Sequence, residues 1–220
     1  MGVKQGDGID ARLAEGRQYR DINVSSFERR AEENGEMIVE GYATTFNQPY
    51  ELWREPGFVV MEQVSERAFD NCDMSDVIMQ YNHEGRVFAR TGNGTLSVVP
   101  DPVGLRTRAS LGGTELGRQV WEEINGGYTT KMSFGFRVRE RERNERQNAD
   151  TGETEILITI TDIEKLFDVS AVSIPANDGT SISSRSFAEG VIGEVKQEML
   201  AREERERQKK RIKILTEVNK

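Results

Sequence analysis

Met132-Ser133-Phe134-Gly135-Phe136-Arg137-Val138-Arg139 places an apolar side chain at every second position, the period of a β-strand with one face toward a core. Met132, Phe134, Phe136 and Val138 then point inward, while Ser133, Gly135 and the arginines share the other face. A small hydroxyl beside a glycine leaves room on that face for another backbone to approach, as a bound peptide would require. Taken alone, a half-buried strand with a surface serine is the simpler reading, because this is not the Gly-x-Ser-x-Gly elbow of the α/β-hydrolases.

The same period extends on both sides. Residues 36–46, 58–64, 76–81, 95–99 and 104–111 read as strands, with turns at Asn47-Gln48-Pro49-Tyr50 and Pro100-Asp101-Pro102. Thr114 to Asn125 reads as a helix: Leu116, Val120, Trp121 and Ile124 fall on one face, Thr114 can cap it, and Gly126-Gly127 ends it. Beyond Phe136 a charged run extends the strand, turns at Asp150 to Gly152 and returns through Ile156 to Ile160. Arg137, Arg139, Arg141 and Arg143 lie on one side of it and offer a site for an acidic substrate or phosphate, although the interleaved glutamates favour a solvated hairpin. Together these elements predict an α+β fold: a mixed or antiparallel, barrel-like β-sheet core with few helices, plus a charged C-terminal helix.

At 220 residues the chain should hold one main domain. A core of ~150 residues can bury about 70% of its unfolded surface. Three regions are expected: a flexible leader over 1–35, in which Tyr19 to Val24 can add an edge strand, a main domain over 36–186, and a charged helical tail over 187–220. Residues 194–220 carry six acids and nine bases, which leaves −11 of the net −8 on the rest of the chain. The tail reads either as a partner helix for scaffold or self-association or as a solvated terminal helix. Lys209-Lys210-Arg211 is a weak nucleic-acid signal, since an acidic main domain repels phosphate. A single Cys72 permits no internal disulfide, and the chain shows no signal peptide, membrane span or lipidation site, which points to a soluble protein of a reducing compartment. One histidine and one cysteine make no typical zinc site, no acidic loop has calcium spacing, and no cofactor is expected.

The lone histidine, His83, lies where the apolar run Val77-Ile78-Met79 passes into the turn Asn82-His83-Glu84-Gly85. It is the only side chain whose unperturbed pKa suits proton transfer near neutral pH, and a serine needs such a base to become a nucleophile. An ordinary turn histidine is the plain alternative. A carboxylate to orient the imidazole is available in Asp162-Ile163-Glu164-Lys165-Leu166-Phe167-Asp168-Val169. Asp168, between Phe167 and Val169, is the choice, because partial burial would strengthen its bond to imidazolium. Glu164, read on the same strand face but about 13 Å away, could not serve the same ring nitrogen. As a plain strand-edge charge Asp168 would instead discourage aggregation. Cys72 is a poor nucleophile, because the adjacent Asp73 would raise its pKa.

Gly41-Tyr42-Ala43-Thr44-Thr45-Phe46, Tyr81-Asn82-His83-Glu84, Gly104-Leu105-Arg106, Thr114-Glu115-Leu116-Gly117, Met132-Ser133-Phe134-Gly135-Phe136 and Phe167-Asp168-Val169-Ser170-Ala171-Val172-Ser173-Ile174-Pro175-Ala176-Asn177 follow one another in order from about residue 36 to 183. As a set they resemble the prohead maturation serine proteases of tailed bacteriophages, themselves similar to the herpesvirus assemblins. The chain departs from the family at Glu84, where Asp is usual, and at Ser65-Glu66-Arg67-Ala68-Phe69, where Pro-Gly-Ala-Phe often stands. The resemblance implies a serine endopeptidase with His83 as base, Ser133 as nucleophile and Asp168 as orienting acid, 36–186 being the protease domain. It also implies capsid and scaffold proteins as substrates, self-cleavage in 1–35 or 184–220, and action inside the procapsid in the host cytoplasm. A homodimer or higher oligomer is a further expectation, and the turn after Pro175 is the expected source of oxyanion donors. The alternative is a non-catalytic capsid-assembly or scaffold-binding module acting through the C-terminal helix.

Overall fold

A long hairpin organises the molecule. In the computed structural model, which describes residues 17–26, 28–31, 36–172 and 182–218, its arms are β10 (Lys131–Gln147) and β11 (Thr154–Val172). The turn between them is closed by the Asn148 carboxamide, which accepts from the backbone N–H groups of Asp150 and Thr151. Ahead of the hairpin come β1 (Gln18–Ser26), β2 (Glu28–Ala31), β3 (Met37–Thr45), β4 (Tyr50–Glu55), β5 (Phe58–Val64), β6 (Ile78–Tyr81), β7 (Glu84–Arg90), β8 (Leu96–Pro100), β9 (Gly104–Ser110) and α1 (Glu115–Gly126). A second helix, α2 (Ile182–Val218), follows it.

The fold is α+β, with two sheets. A seven-stranded mixed sheet runs β1-β10-β11-β5-β4, with the β6–β7 hairpin attached to β11, and a four-stranded sheet runs β2-β3-β9-β8. The first half of β11 pairs in parallel with β5, and its last residues pair in parallel with β6, so one strand serves two neighbours in succession. The expected barrel does not close. Closure needs a continuous ladder of strand pairs, whereas among the described residues one bridge, Phe46 to Val64, joins the two sheets. Alternation sets the face of each strand and leaves open which edges meet.

Phe134, Phe136, Ile163, Leu166 and Val169 of the hairpin pack on Val39, Ala43, Leu105 and Leu111, with Val120 and Ile124 of α1 closing the core. That helix starts where expected: the Thr114 hydroxyl accepts from Gly117 N at 2.9 Å, and Gly127, left-handed at φ 77°, ends it. A second apolar cluster joins Leu52, Val60, Ile156 and Ile158 to Phe187, Ala188, Val191, Ile192 and Val195 of α2. Past Lys196 that helix is exposed as far as Ile212, because its sequence there carries charge on every side. Within the expected leader, β1 and β2 are sheet strands, and β1 lies at the sheet edge beside β10.

Candidate active site

The β6–β7 hairpin turns through Asn82 and His83, both with positive φ, 48° and 61°. Such a two-residue turn favours Asn-Gly, so a histidine in the second place accepts backbone strain to hold its ring there. Because Asp168 to Ala171 pair with Ile78 to Tyr81, the turn carries His83 over the end of β11.

Three side chains meet at that point. His83 Nε2 lies 2.6 Å from Ser133 Oγ, and Nδ1 lies 2.5 Å from Asp168 Oδ2. Ser133 and Asp168 are fully buried, and the His83 side chain is 12% exposed. Burial pushes the Asp168 pKa up, but the hydrogen bond and charge of His83, with hydrogen bonds from Arg17 and Ser170, outweigh it and hold the carboxyl below its ordinary value. An ionised carboxylate only accepts, so Nδ1 donates to Asp168, and the Ser133 hydroxyl lies within hydrogen-bond reach of both Nε2 and the Arg20 carbonyl oxygen.

Several supporting residues escaped the sequence reading. Ser170 donates to Asp168 Oδ2 at 2.8 Å; its place two residues on, on the same strand face, is the signal that could have found it. Arg17, just before β1, also donates to Asp168, and the ring of Tyr19 in β1 lies 4.3 Å from the His83 ring. Gly135 is required by close approach: a Cβ there would collide with the Asp168 carboxylate and stand 3.0 Å from Arg17 Nε and from the Tyr19 ring. The space expected beside Ser133 is therefore filled by side chains as well as backbone. On the opposite face of β1, Arg20 reaches Glu62, with Nη2 donating to Oε2 at 3.0 Å, and the Tyr50 hydroxyl donates to Glu62 at 2.5 Å.

Other expectations resolve differently. Glu164 takes no part in these contacts: register shifts leave Phe167 and Glu164 without partners in β10, and Glu164 turns to Arg137 instead. Its side chain is half exposed and pairs with Arg137 at 3.4 Å. The arginines of that row are engaged within the chain by Glu164, Asp162, Gln18 and Glu198. Burial first, and then the charges of Asp73 and Asp162, push the Cys72 thiol up to about 12. The turn after Pro175 lies outside the described residues. Among the described residues no acidic, histidine or cysteine cluster could hold a metal ion, and no helix is long and apolar enough to cross a membrane.

A family model described as caudovirus prohead serine protease matches residues 25–192. The chain belongs to the prohead serine protease family. It is thus a serine protease of bacteriophage capsid maturation, a role that belongs to the procapsid within the host cell. No curated protein and no solved structure matches the protease.

Proposed function

We propose that the protease hydrolyses peptide bonds of scaffold and capsid proteins through Ser133, His83 and Asp168. One observation carries this reading: the unbroken series of contacts from Ser133 Oγ through both ring nitrogens of His83 to Asp168. Ser133 Oγ attacks the substrate carbonyl carbon as its proton passes to Nε2, and His83 then delivers that proton to the leaving amine. Asp168, kept ionised, holds the tautomer and stabilises the imidazolium. Membership in a serine protease family favours this over a non-catalytic assembly module. The exposed length of α2 is the segment we assign to partner contacts in the shell. A fluorophosphonate label mapped by peptide sequencing tests the nucleophile: it should fall on Ser133 and vanish in Ser133→Ala, and a label elsewhere overturns the assignment.

A further inference from the structure

β1 lies against the nucleophile strand as a bound peptide would. It runs antiparallel to β10, with Tyr19 opposite Gly135 and Asp21 opposite Ser133. The Ser133 hydroxyl donates to the carbonyl oxygen of Arg20 at 3.0 Å and is also within reach of His83, which sets the Arg20–Asp21 peptide beside the proposed nucleophile. The family match begins at residue 25, which leaves the strand residues before it outside the matched region.

Side chains of β1 engage both faces. Tyr19 packs on His83. Arg20 turns the other way into a closed pocket, where it is 3% exposed. There its guanidinium binds both oxygens of the fully buried Glu62, donates to Tyr19 O and Gln18 Oε1, and stands 5.7 Å from the Phe136 ring centre. Among the described residues outside β1, Tyr50 gives Glu62 a direct hydrogen bond. Outside β1, Arg141 acts on this carboxylate through its charge, and a planar two-pronged guanidinium bonded directly to both oxygens fits it better than an ammonium. Trypsin selects basic residues by the same device, a carboxylate on the pocket floor.

We propose that the Glu62–Tyr50 pocket is a specificity site for a substrate arginine immediately before the bond cut, and that β1 fills it as the chain's own cis-bound substrate strand. The inference rests on Ser133 being the nucleophile. Ser133 Oγ bonds to the Arg20 carbonyl carbon, the Arg20–Asp21 C–N bond breaks, and the Asp21 amine leaves with the proton relayed by His83. Water then hydrolyses the Arg20 ester, leaving a carboxylate on Arg20 and restoring Ser133 and His83. Substrate proteins would be cut where an extended segment offers arginine at that place.

Intact-mass and N-terminal analysis of the full-length chain is expected to reveal a product beginning at Asp21, absent from Ser133→Ala. Peptides spanning the residue 16–25 sequence, offered to the wild-type protein with arginine, lysine or isosteric neutral citrulline at the Arg20 place, test the pocket without altering the fold. The citrulline peptide should be cut at least about 100-fold more slowly than the arginine peptide, since a site built around a charged donor rejects its neutral analogue. In Glu62→Gln, checked for folding by circular dichroism, that preference should collapse. Fluorophosphonate labelling of Ser133 separates the failures. Normal labelling with equal cutting of arginine and citrulline, or with trimming only at other bonds, overturns the specificity site and leaves the protease reading intact. Absence of both label and hydrolysis removes the nucleophile, and this inference with it.

Discussion

Asp168 and Glu62 are two fully buried carboxylates on opposite faces of β1, and each meets an arginine: Arg17, just before the strand, for Asp168, and Arg20, within it, for Glu62. They differ in what remains if the strand is taken away. Among the described residues, Asp168 keeps His83 and Ser170, both from the body of the protein, whereas Glu62 keeps the Tyr50 hydroxyl bond and the charge of Arg141. Burial pushes the Glu62 pKa up, and it is Arg20 foremost, then Arg141 and Tyr50, that bring it below its ordinary value. Without the strand, one carboxylate thus keeps its bonded partners and the other loses the cation bonded to it.

The largest test of that contrast is chemical. Ser133→Ala should abolish hydrolysis, by about 10⁶-fold in kcat if the three groups act as a unit. Asp168→Asn should keep the fold and lower kcat by about 10⁴-fold through the wrong tautomer. Glu164→Gln should leave the rate unchanged; if instead Glu164→Gln lowers it and Asp168→Asn does not, the orienting acid has been misassigned. Glu62→Gln leaves Arg20 without its anion and should cost about 3–5 kcal/mol in urea unfolding, or release β1 to rapid amide exchange over residues 17–26. Unchanged stability and unchanged exchange would mean that Glu62 does not hold the strand.

Gly135→Ala pushes on Asp168, Arg17 and Tyr19 together, and an ångström of displacement there should lower kcat by about 100-fold. The smallest effect is on acid stability. Both carboxyls titrate below their ordinary values when folded, so their contribution is complete above an unfolded pKa of about 4 and is lost as pH falls through the lowered folded values. Melting temperature should therefore drop on the acid side, less steeply in Glu62→Gln; parallel slopes would detach Glu62 from the effect.

Local pattern carried much of the architecture. The alternation from Met132 to Val138, the Thr114 cap with the Gly127 stop, and the three residues His83, Ser133 and Asp168 were all legible along the chain, because strand period, capping and side-chain chemistry depend on near neighbours. What periodicity did not show is that β11 departs from strict alternation at Phe167 and Glu164, since a bulge is imposed by the partner strand and leaves no periodic trace in its own.

Composition and periodicity by themselves pointed to an α+β chain with a strand-borne serine, a turn-borne histidine and a strand with carboxylates from which Asp168 was chosen. Only the tertiary structure decided that the sheets stay open, that β1 lies along β10, and that Arg20 closes on Glu62. The physical reason is range. A pairing across 42 residues is selected by the low dielectric and shape of a pocket that does not exist until distant strands have assembled it.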